Sequence, residues 1–153
     1  TGLSDKHLED LSAAKKIIPI LIAPNMSLGI ANLKTSIETY LCAIKTPVKC
    51  KIVEIHHTKK KDSPSGTALE IIKFIENYHA KKIDGMIDVK SYRIGNIFGI
   101  HRIEFKSEEG IINFQHIASS RDVFAKGALQ AAISINSMGI GEYSFADFLD
   151  KKL

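Results

Sequence analysis

A chain of 153 residues with 44% hydrophobic content can bury one ordinary core, and it contains no apolar run of the length that a membrane span needs. Because no signal-peptide core is present either, we expect a cytoplasmic protein without a membrane partner. The net charge of +4 favours acidic partners, but the lysines are scattered and aromatic residues make up only 7%. This pattern argues against nucleic acid and favours a small acidic molecule. Cys42 and Cys50 lack the spacing of a disulfide framework and are predicted to be free thiols.

The N-terminal segment, residues 1–26, has the pattern expected at the end of a nucleotide-binding domain. Apolar residues at helical spacing predict a helix at residues 6–15, and residues 17–23 form an apolar run typical of a strand buried in a parallel sheet. One strand cannot form such a sheet alone, and no Gly-x-Gly-x-x-Gly turn follows a strand anywhere in the chain. We therefore expect this segment to be the tail of a Rossmann-type domain, and the chain to be a fragment that lacks the rest of it.

Residues 27–120 have the pattern of a domain that combines helices with a sheet. Helical spacing predicts helices at residues 27–44 and 65–79. Segments rich in β-branched residues predict four strands, at residues 48–56, 87–94, 99–106 and 111–118. The expected fold is therefore α+β, with one four-stranded sheet and helices on one of its faces. Beyond it, residues 122–138 predict a helix and residues 144–149 a final helical turn.

The stretch from Glu54 to Thr67 is the candidate functional site, and it joins the end of a predicted strand to the start of a predicted helix. It contains the adjacent histidines His56 and His57, three lysines, and the predicted helix cap Ser65. Free N–H groups at a helix start bind anions such as carboxylates, and histidine is suited to proton transfer near neutral pH. We therefore expect a small ligand with more than one negative group. Two alternatives remain: a metal-dependent hydrolase that uses His56, His57 and Asp62, and a non-catalytic domain that oligomerises or binds a small acid.

The pattern Glu-x-His-His-x-x-Lys-x-Asp-x-Pro-Ser-Gly-Thr-Ala at residues 54–68 resembles the signature of the 4-hydroxy-tetrahydrodipicolinate reductase (dihydrodipicolinate reductase) family of lysine and diaminopimelate biosynthesis. Residues 23–29, 93–101 and 116–128 are similar to three further family segments, in the same order. The resemblance implies the family's C-terminal domain: a mixed four-stranded sheet over residues 27–120, which binds substrate and pairs into a homotetramer. It also implies that residues 121–153 return to pack on the dinucleotide-binding domain.

The resemblance further implies an oxidoreductase that passes a hydride from NADPH or NADH to a cyclic dicarboxylate imine and supplies a proton. By matching positions, His56 is the proton donor and Lys60 the second catalytic group, and no metal is implied. The residues implied in substrate binding are His57, Ser65, Gly66, Thr67 and Arg121, the last with helix capping as its alternative role. The residues implied in cofactor binding are Thr1, Ala23, Pro24, Asn25 and Met26. Since no glycine-rich turn is present to hold a dinucleotide, we do not expect the isolated chain to be a working reductase.

Several further polar residues have a structural interpretation. Glu54 is expected to orient a histidine or to pair with a lysine, and Lys59 and Lys61 to lie in solvated loop. His101 and His116 are interpreted as satisfied core or strand histidines rather than catalytic ones. His7 and His79 are expected at the surface.

Overall fold

The computed structural model describes residues 3–150, so Thr1, a predicted cofactor contact, lies outside the described residues. The helices are α1 (Asp5–Ala14), α2 (Leu28–Ala43), α3 (Gly66–His79), α4 (Asp122–Ser134) and α5 (Phe145–Asp150), with short 3₁₀ turns at Ala80–Lys82 and Ile135–Ser137. The strands are β1 (Pro19–Leu21), β2 (Lys49–His56), β3 (Asp88–Arg93), β4 (Ile100–Ser107), β5 (Gly110–Ile117) and β6 (Gly141–Tyr143). These helices and strands form two compact units. One is Asn32–Arg121, and the other combines the segments Thr1–Ala31 and Asp122–Leu153. The predicted assignment of the outer segments to a dinucleotide-binding domain stays a prediction.

The unit Asn32–Arg121 is built on a four-stranded sheet in the order β3-β2-β4-β5. Strand β2 runs parallel to β3 and antiparallel to β4, and β5 runs antiparallel to β4. The predicted mixed four-stranded sheet is therefore confirmed. The two central strands, β2 and β4, alternate buried positions with more exposed ones, as pleated strands with one face on the core require.

Helices α2 and α3 lie on one face of this sheet. The Tyr40 ring of α2 lies 5.2 Å from Phe105 and 5.7 Å from Phe114, measured between ring centroids. The two helices are joined to each other by Lys34, whose Nζ lies 3.0 Å from a Glu70 carboxylate oxygen and 5.2 Å from the centre of the Phe74 ring. The largest buried side chains of this unit are Phe105, Ile37, Leu41, Ile52, Ile71, Ile75 and Ile103.

The other face of the sheet carries an apolar row that crosses all four strands. The register pairs Ile55 with Tyr92 on one side and with Ile100 on the other, and pairs Ile100 with Ile117. Tyr92 and Ile117 are exposed, at 48% and 58%, while Ile55 and Ile100 are half-buried. We call these four residues the apolar row.

The second unit contains the two-stranded parallel sheet of β1 and β6. Its core is formed by Ala131, Phe145 and Phe148, against which Leu21, Ala23, Met26, Ala31 and Leu149 pack. Strand β6 was not predicted, because it has only three residues and its partner β1 lies about 120 positions earlier in the chain, as the pairing of Pro19 with Gly141 indicates. The prediction of a buried strand at residues 17–23 is wrong in length and burial, because the strand spans only Pro19–Leu21, its residues are half-buried, and Ile17, Ile18 and Ile22 are exposed.

Of the two helix histidines that were predicted at the surface, His7 is exposed and His79 is buried. His7 is exposed, and it forms a capping box with Ser4 at the start of α1. The prediction for His79 is wrong, because this residue is buried at the end of α3. It lies one and two helical turns beyond the buried Ile75 and Ile71, so the apolar stripe of the helix carries it inward.

Candidate active site

The candidate site lies at the end of β2, where the strand alternation places two polar residues on the core face. Positions 50, 52, 54 and 56 of this strand are all buried, so Glu54 and His56 continue the row that begins with Cys50 and Ile52. His57 follows the last residue of the strand and is half-buried. The adjacent histidines therefore occupy different environments, and only His56 faces the core.

Glu54 is fully buried and has a partner at each carboxylate oxygen. Its Oε2 lies against Nδ1 of His56, and its Oε1 accepts hydrogen bonds from Arg93 Nη1 at 2.9 Å and from the Ser65 backbone N–H at 3.3 Å. Burial raises the pKa of this carboxyl, but hydrogen bonds from Ser91 and Arg93 and the charges of His56 and Arg93 outweigh it and hold the pKa below its usual range. Glu54 thus orients a histidine, as predicted, and its cationic partner is an arginine rather than a lysine.

Arg93 connects the strands to the loop between β2 and α3. The register pairs it with His56, and besides Glu54 its guanidinium donates to the backbone carbonyls of Tyr92, at 2.8 Å, and Asp62. Arg93 was not predicted as a site residue. It opens the family-like segment at residues 93–101, but that signal gave it no role, since only the parallel pairing of β3 with β2 brings it to Glu54.

His101 joins the site from β4, directly opposite Glu54 in the antiparallel register. Its ring centre lies 5.1 Å from that of His56, and its Nε2 lies 3.2 Å from Ser65 Oγ. Burial, together with the charge of His56, lowers the pKa of His101 to about 3, so the ring is neutral. The prediction of a buried strand histidine describes its position, but its Nδ1, like that of His116 on β5, is buried without a hydrogen-bond partner among residues 3–150.

Gly99 leaves a notch beside His56. Its carbonyl accepts a hydrogen bond from the Ala118 N–H, and it lies just before β4. A Cβ added to Gly99 would lie 3.0 Å from Nε2 of His56 and 3.6 Å from Cε1 of His101. Within the described part of the chain, no group forms a hydrogen bond with His56 Nε2. This nitrogen therefore faces the space that the missing side chain leaves.

The loop after β2 places a carboxylate at the start of α3. Asp62 lies with Oδ1 at 2.9 Å from Lys60 Nζ and accepts the Gly66 backbone N–H at 3.3 Å through Oδ2. The hydrogen bond with Lys60 is the largest cause that lowers the pKa of Asp62. Ser65 caps α3 through the Ala68 N–H, as predicted. Lys60 is half-buried, whereas the neighbouring Lys59 and Lys61 are both exposed in the loop, as predicted.

The structure brings some predicted residues together and leaves others apart. His56, Lys60, Ser65 and Gly66 surround the Glu54 carboxylate and the start of α3, and Thr67 lies in the first turn of that helix. Arg121 is exposed just before α4, and no described hydrogen bond or ion pair joins it to this cluster.

The segment predicted to contact the cofactor belongs to the other compact unit. It follows the carboxyl end of β1, which is the edge where ligands bind in parallel sheets. Asn25 Oδ1 accepts the Ser27 N–H at 2.8 Å, and Ala23 and Met26 pack against the core of the unit, so the segment has a defined shape. The position fits a contact with a nicotinamide cofactor. A glycine-rich turn between a strand and a helix, which would hold the pyrophosphate, does not occur in residues 3–150.

One group of side chains has the geometry to hold a metal ion. The ligand atoms of Glu54, His56 and His101 lie within 4.8 Å of one another, and the described residues contain no other group of three. It differs from the predicted hydrolase set, which used His57 and Asp62. Because Glu54 Oε2 and His56 Nδ1 already bind each other directly, and His101 Nε2 lies at hydrogen-bond distance from Ser65, we interpret the group as a hydrogen-bonded cluster.

Comparison with known proteins gives the family. The family model described as "Dihydrodipicolinate reductase, C-terminus" matches residues 29–149. The chain belongs to this family. Among its relatives, the 4-hydroxy-tetrahydrodipicolinate reductases of Bdellovibrio bacteriovorus and Alkaliphilus metalliredigens are 38% and 36% identical to it, each over 97% of this chain. The chain spans 63% and 68% of the length of these two relatives.

The fold of the dihydrodipicolinate reductase family is also found by structural comparison. A solved structure described as dipicolinate-bound dihydrodipicolinate reductase from Paenisporosarcina sp. TG-14 matches 94% of this chain and 60% of that protein, with a TM-score of 0.74. The two sequences are 20% identical, so this match supports the fold. None of the described helices combines the length and the apolar composition needed to cross a membrane.

Proposed function

We propose that this chain is the substrate-binding and oligomerising part of a 4-hydroxy-tetrahydrodipicolinate reductase of lysine and diaminopimelate biosynthesis, working in the cytoplasm. Residues 27–120 would form that part, while residues 1–26 and 121–153 would belong with a dinucleotide-binding domain. Membership of the family supports the reaction class, and the names of the relatives support the activity. The enzyme would reduce a cyclic dicarboxylate imine with NADPH or NADH.

The main support for this proposal is the way in which the carboxylate of Asp62 is bound. One carboxylate is held at the same time by Lys60 Nζ, at 2.9 Å, and by the Gly66 N–H, at 3.3 Å. A substrate carboxylate has the same geometry and charge, so it fits the same two donors once Asp62 moves aside. The dipicolinate named for the solved relative is a ligand of this chemical class.

The roles follow from the positions around this carboxylate site. His56 supplies the proton, and Lys60 stabilises the negative charge that develops on the ligand. His57, Ser65, Gly66 and Thr67 bind the ligand, and Arg121 supplies a further cation. When bound, the cofactor supplies the hydride, and Ala23, Pro24, Asn25 and Met26 would contact it, together with Thr1.

Binding of pyridine-2,6-dicarboxylate to the chain, measured by isothermal titration calorimetry without cofactor, tests this proposal. We expect saturable binding, and we expect Lys60→Met to weaken it about 10- to 100-fold, which corresponds to the roughly 1.5–3 kcal/mol of a charged hydrogen bond. Lys59→Met is the matched control, because Lys59 is an exposed neighbour in the same loop. Absence of binding by a folded sample, or equal losses in the two variants, would contradict the proposal.

We further propose that the chain forms a homotetramer through the face of the sheet opposite α2 and α3. The apolar row supports this, since it crosses all four strands and leaves Tyr92 and Ile117 exposed. Contiguous exposed apolar surface of this kind marks interfaces. A second copy of the same sheet would cover it.

A further inference from the structure

Glu54, Arg93 and Gly99 lie around the His56 ring, and the last two have no role assigned so far. We propose that Glu54, Arg93 and Gly99 are positioning residues for His56: the first two hold the ring by Nδ1, and the third keeps its Nε2 open to the ligand. This inference rests on the proposed function only in taking His56 as the proton donor. The arrangement of the ring itself is a property of the folded chain and is measured without ligand or cofactor.

Glu54 holds the His56 ring on its Nδ1 side. Glu54 is ionised and fully buried, and its Oε2 faces Nδ1 of His56. A carboxylate accepts hydrogen bonds and cannot donate them, so Nδ1 must carry a proton. In the neutral ring, Nε2 is then the nitrogen without a proton. The ring therefore takes up and releases protons at Nε2, on the side away from Glu54.

Arg93 fixes the carboxylate of Glu54. The Arg93 guanidinium and the Ser65 N–H both bind Oε1 of Glu54, which leaves Oε2 for His56. The positive charge of Arg93 also compensates a carboxylate that has no access to solvent. Because the same guanidinium binds the Asp62 carbonyl, Arg93 holds the His56 ring and the loop of Lys60 in one arrangement.

A side chain at position 99 would come too close to His56. The backbone of Gly99 is outside the left-handed region, so the chain conformation does not require glycine there. A methyl group at this position would instead lie 3.0 Å from Nε2 and 3.4 Å from Cδ2 of His56, which is closer than Cβ contacts normally are. Since Glu54 holds the opposite side of the ring, the ring cannot move away freely. Gly99 therefore provides the space in which a ligand atom reaches Nε2.

The charges around His56 set its protonation. Burial is the largest cause that lowers its pKa, Lys60 and Arg93 lower it further, and Glu54 raises it. His101 lies beside the ring and is itself neutral, and Asp62 is paired with Lys60 in the facing loop. Glu54 is in contact with the ring and raises the pKa of His56, so removing the charge of Glu54 should lower that pKa. The negative charge of a bound dicarboxylate would raise the pKa of His56 and so favour protonation at Nε2.

Nitrogen NMR of the histidine rings in the ¹⁵N-labelled chain tests the proposal, with the His56 signals assigned by their loss in His56→Gln. In the unsubstituted chain we expect the neutral His56 ring to carry its proton on Nδ1. A His56 ring that carries it on Nε2 would overturn the proposal, and this measurement needs no further variant. In Glu54→Gln we expect the midpoint of the His56 titration to move to lower pH. Glu104→Gln, at a half-buried acidic position of β4 outside the site, is the control and should leave it unchanged.

Gly99→Ala tests the notch separately, by calorimetry with pyridine-2,6-dicarboxylate. We expect binding at least about tenfold weaker than in the unsubstituted chain, with Gly139→Ala as a control at a glycine where an added Cβ makes ordinary contacts. Unchanged affinity in Gly99→Ala would overturn the role of Gly99. If the unsubstituted chain does not bind the ligand, the proposed function fails, whereas the NMR result still decides how Glu54 holds His56.

Discussion

His101 makes the stability of the protein sensitive to acid. Burial and the charge of His56 lower its pKa from 6.5 to about 3 in the folded chain, and unfolding returns it to the ordinary value. Between these two pH values the unfolded chain binds a proton that the folded chain excludes. The free energy of unfolding should therefore be highest above pH 6.5 and fall as the pH drops toward 3, by at most roughly 1.4 kcal/mol per pH unit from this residue.

Urea unfolding at pH 8 and at pH 5, followed by circular dichroism, measures this dependence. We expect the unsubstituted chain to lose stability between the two pH values, and His101→Gln to lose less, whatever its stability at pH 8. His7→Gln, at an exposed histidine of α1, should keep the loss of the unsubstituted chain. An equal loss in His101→Gln would show that another group causes the acid sensitivity.

At the scale of elements, α4 approaches the segment before α2 most closely at Gly127. A Cβ on Gly127 would lie 1.7 Å from the backbone oxygen of Met26 and 3.2 Å from the Phe145 ring. Backbone atoms cannot give way as a flexible side chain can, so we expect Gly127→Ala to lower the free energy of unfolding by about 1–3 kcal/mol or more. Because Met26 lies in the segment proposed to contact the cofactor, the same substitution should also displace that segment.

Thermal unfolding of Gly127→Ala measures the cost. Gly139→Ala serves as the control, since an added Cβ there meets only the Tyr143 hydroxyl, at an ordinary 3.7 Å. Because glycine inside a helix is unfavourable relative to alanine, a chain in which α4 did not approach Met26 would be stabilised by Gly127→Ala. An increase in the melting temperature would therefore contradict the close contact.

At the scale of the whole molecule, the apolar row should determine assembly. We expect Ile117→Glu to dissociate the proposed tetramer, because it places a charge on an exposed edge-strand position of the row that a second copy would have to bury. Analytical ultracentrifugation gives the mass of the particle directly. Tyr78→Glu is the control, since Tyr78 is 74% exposed on α3, on the helix-covered side of the sheet. A monomeric unsubstituted chain, or a tetramer that persists in Ile117→Glu, would contradict the proposed interface.

The sequence by itself determined the features that depend on neighbouring residues. Helical spacing located the helices, and segments rich in β-branched residues located the strands of the mixed sheet. The cap at Ser65 followed from the residues around it. The motif at residues 54–68 indicated the family before any geometry was known. Local signals are sufficient here because a helix cap or the end of a strand depends on contacts within a few residues. His79 was misassigned because a polar residue on an apolar stripe follows its helix into the core.

Only the tertiary structure decided which groups surround His56. Arg93 and Gly99 come from positions far along the chain, and they reach the ring through the parallel pairing of β2 with β3 and the antiparallel pairing of β2 with β4. A shift of one residue in either register would turn Glu54 or His101 to the other face of the sheet. The register depends on the summed packing of the whole core, including Ile52, Ile103 and Phe114, and no local pattern contains that sum. The motif at residues 54–68 can therefore be recognised from the sequence, while the groups that orient His56 depend on the register of the folded sheet.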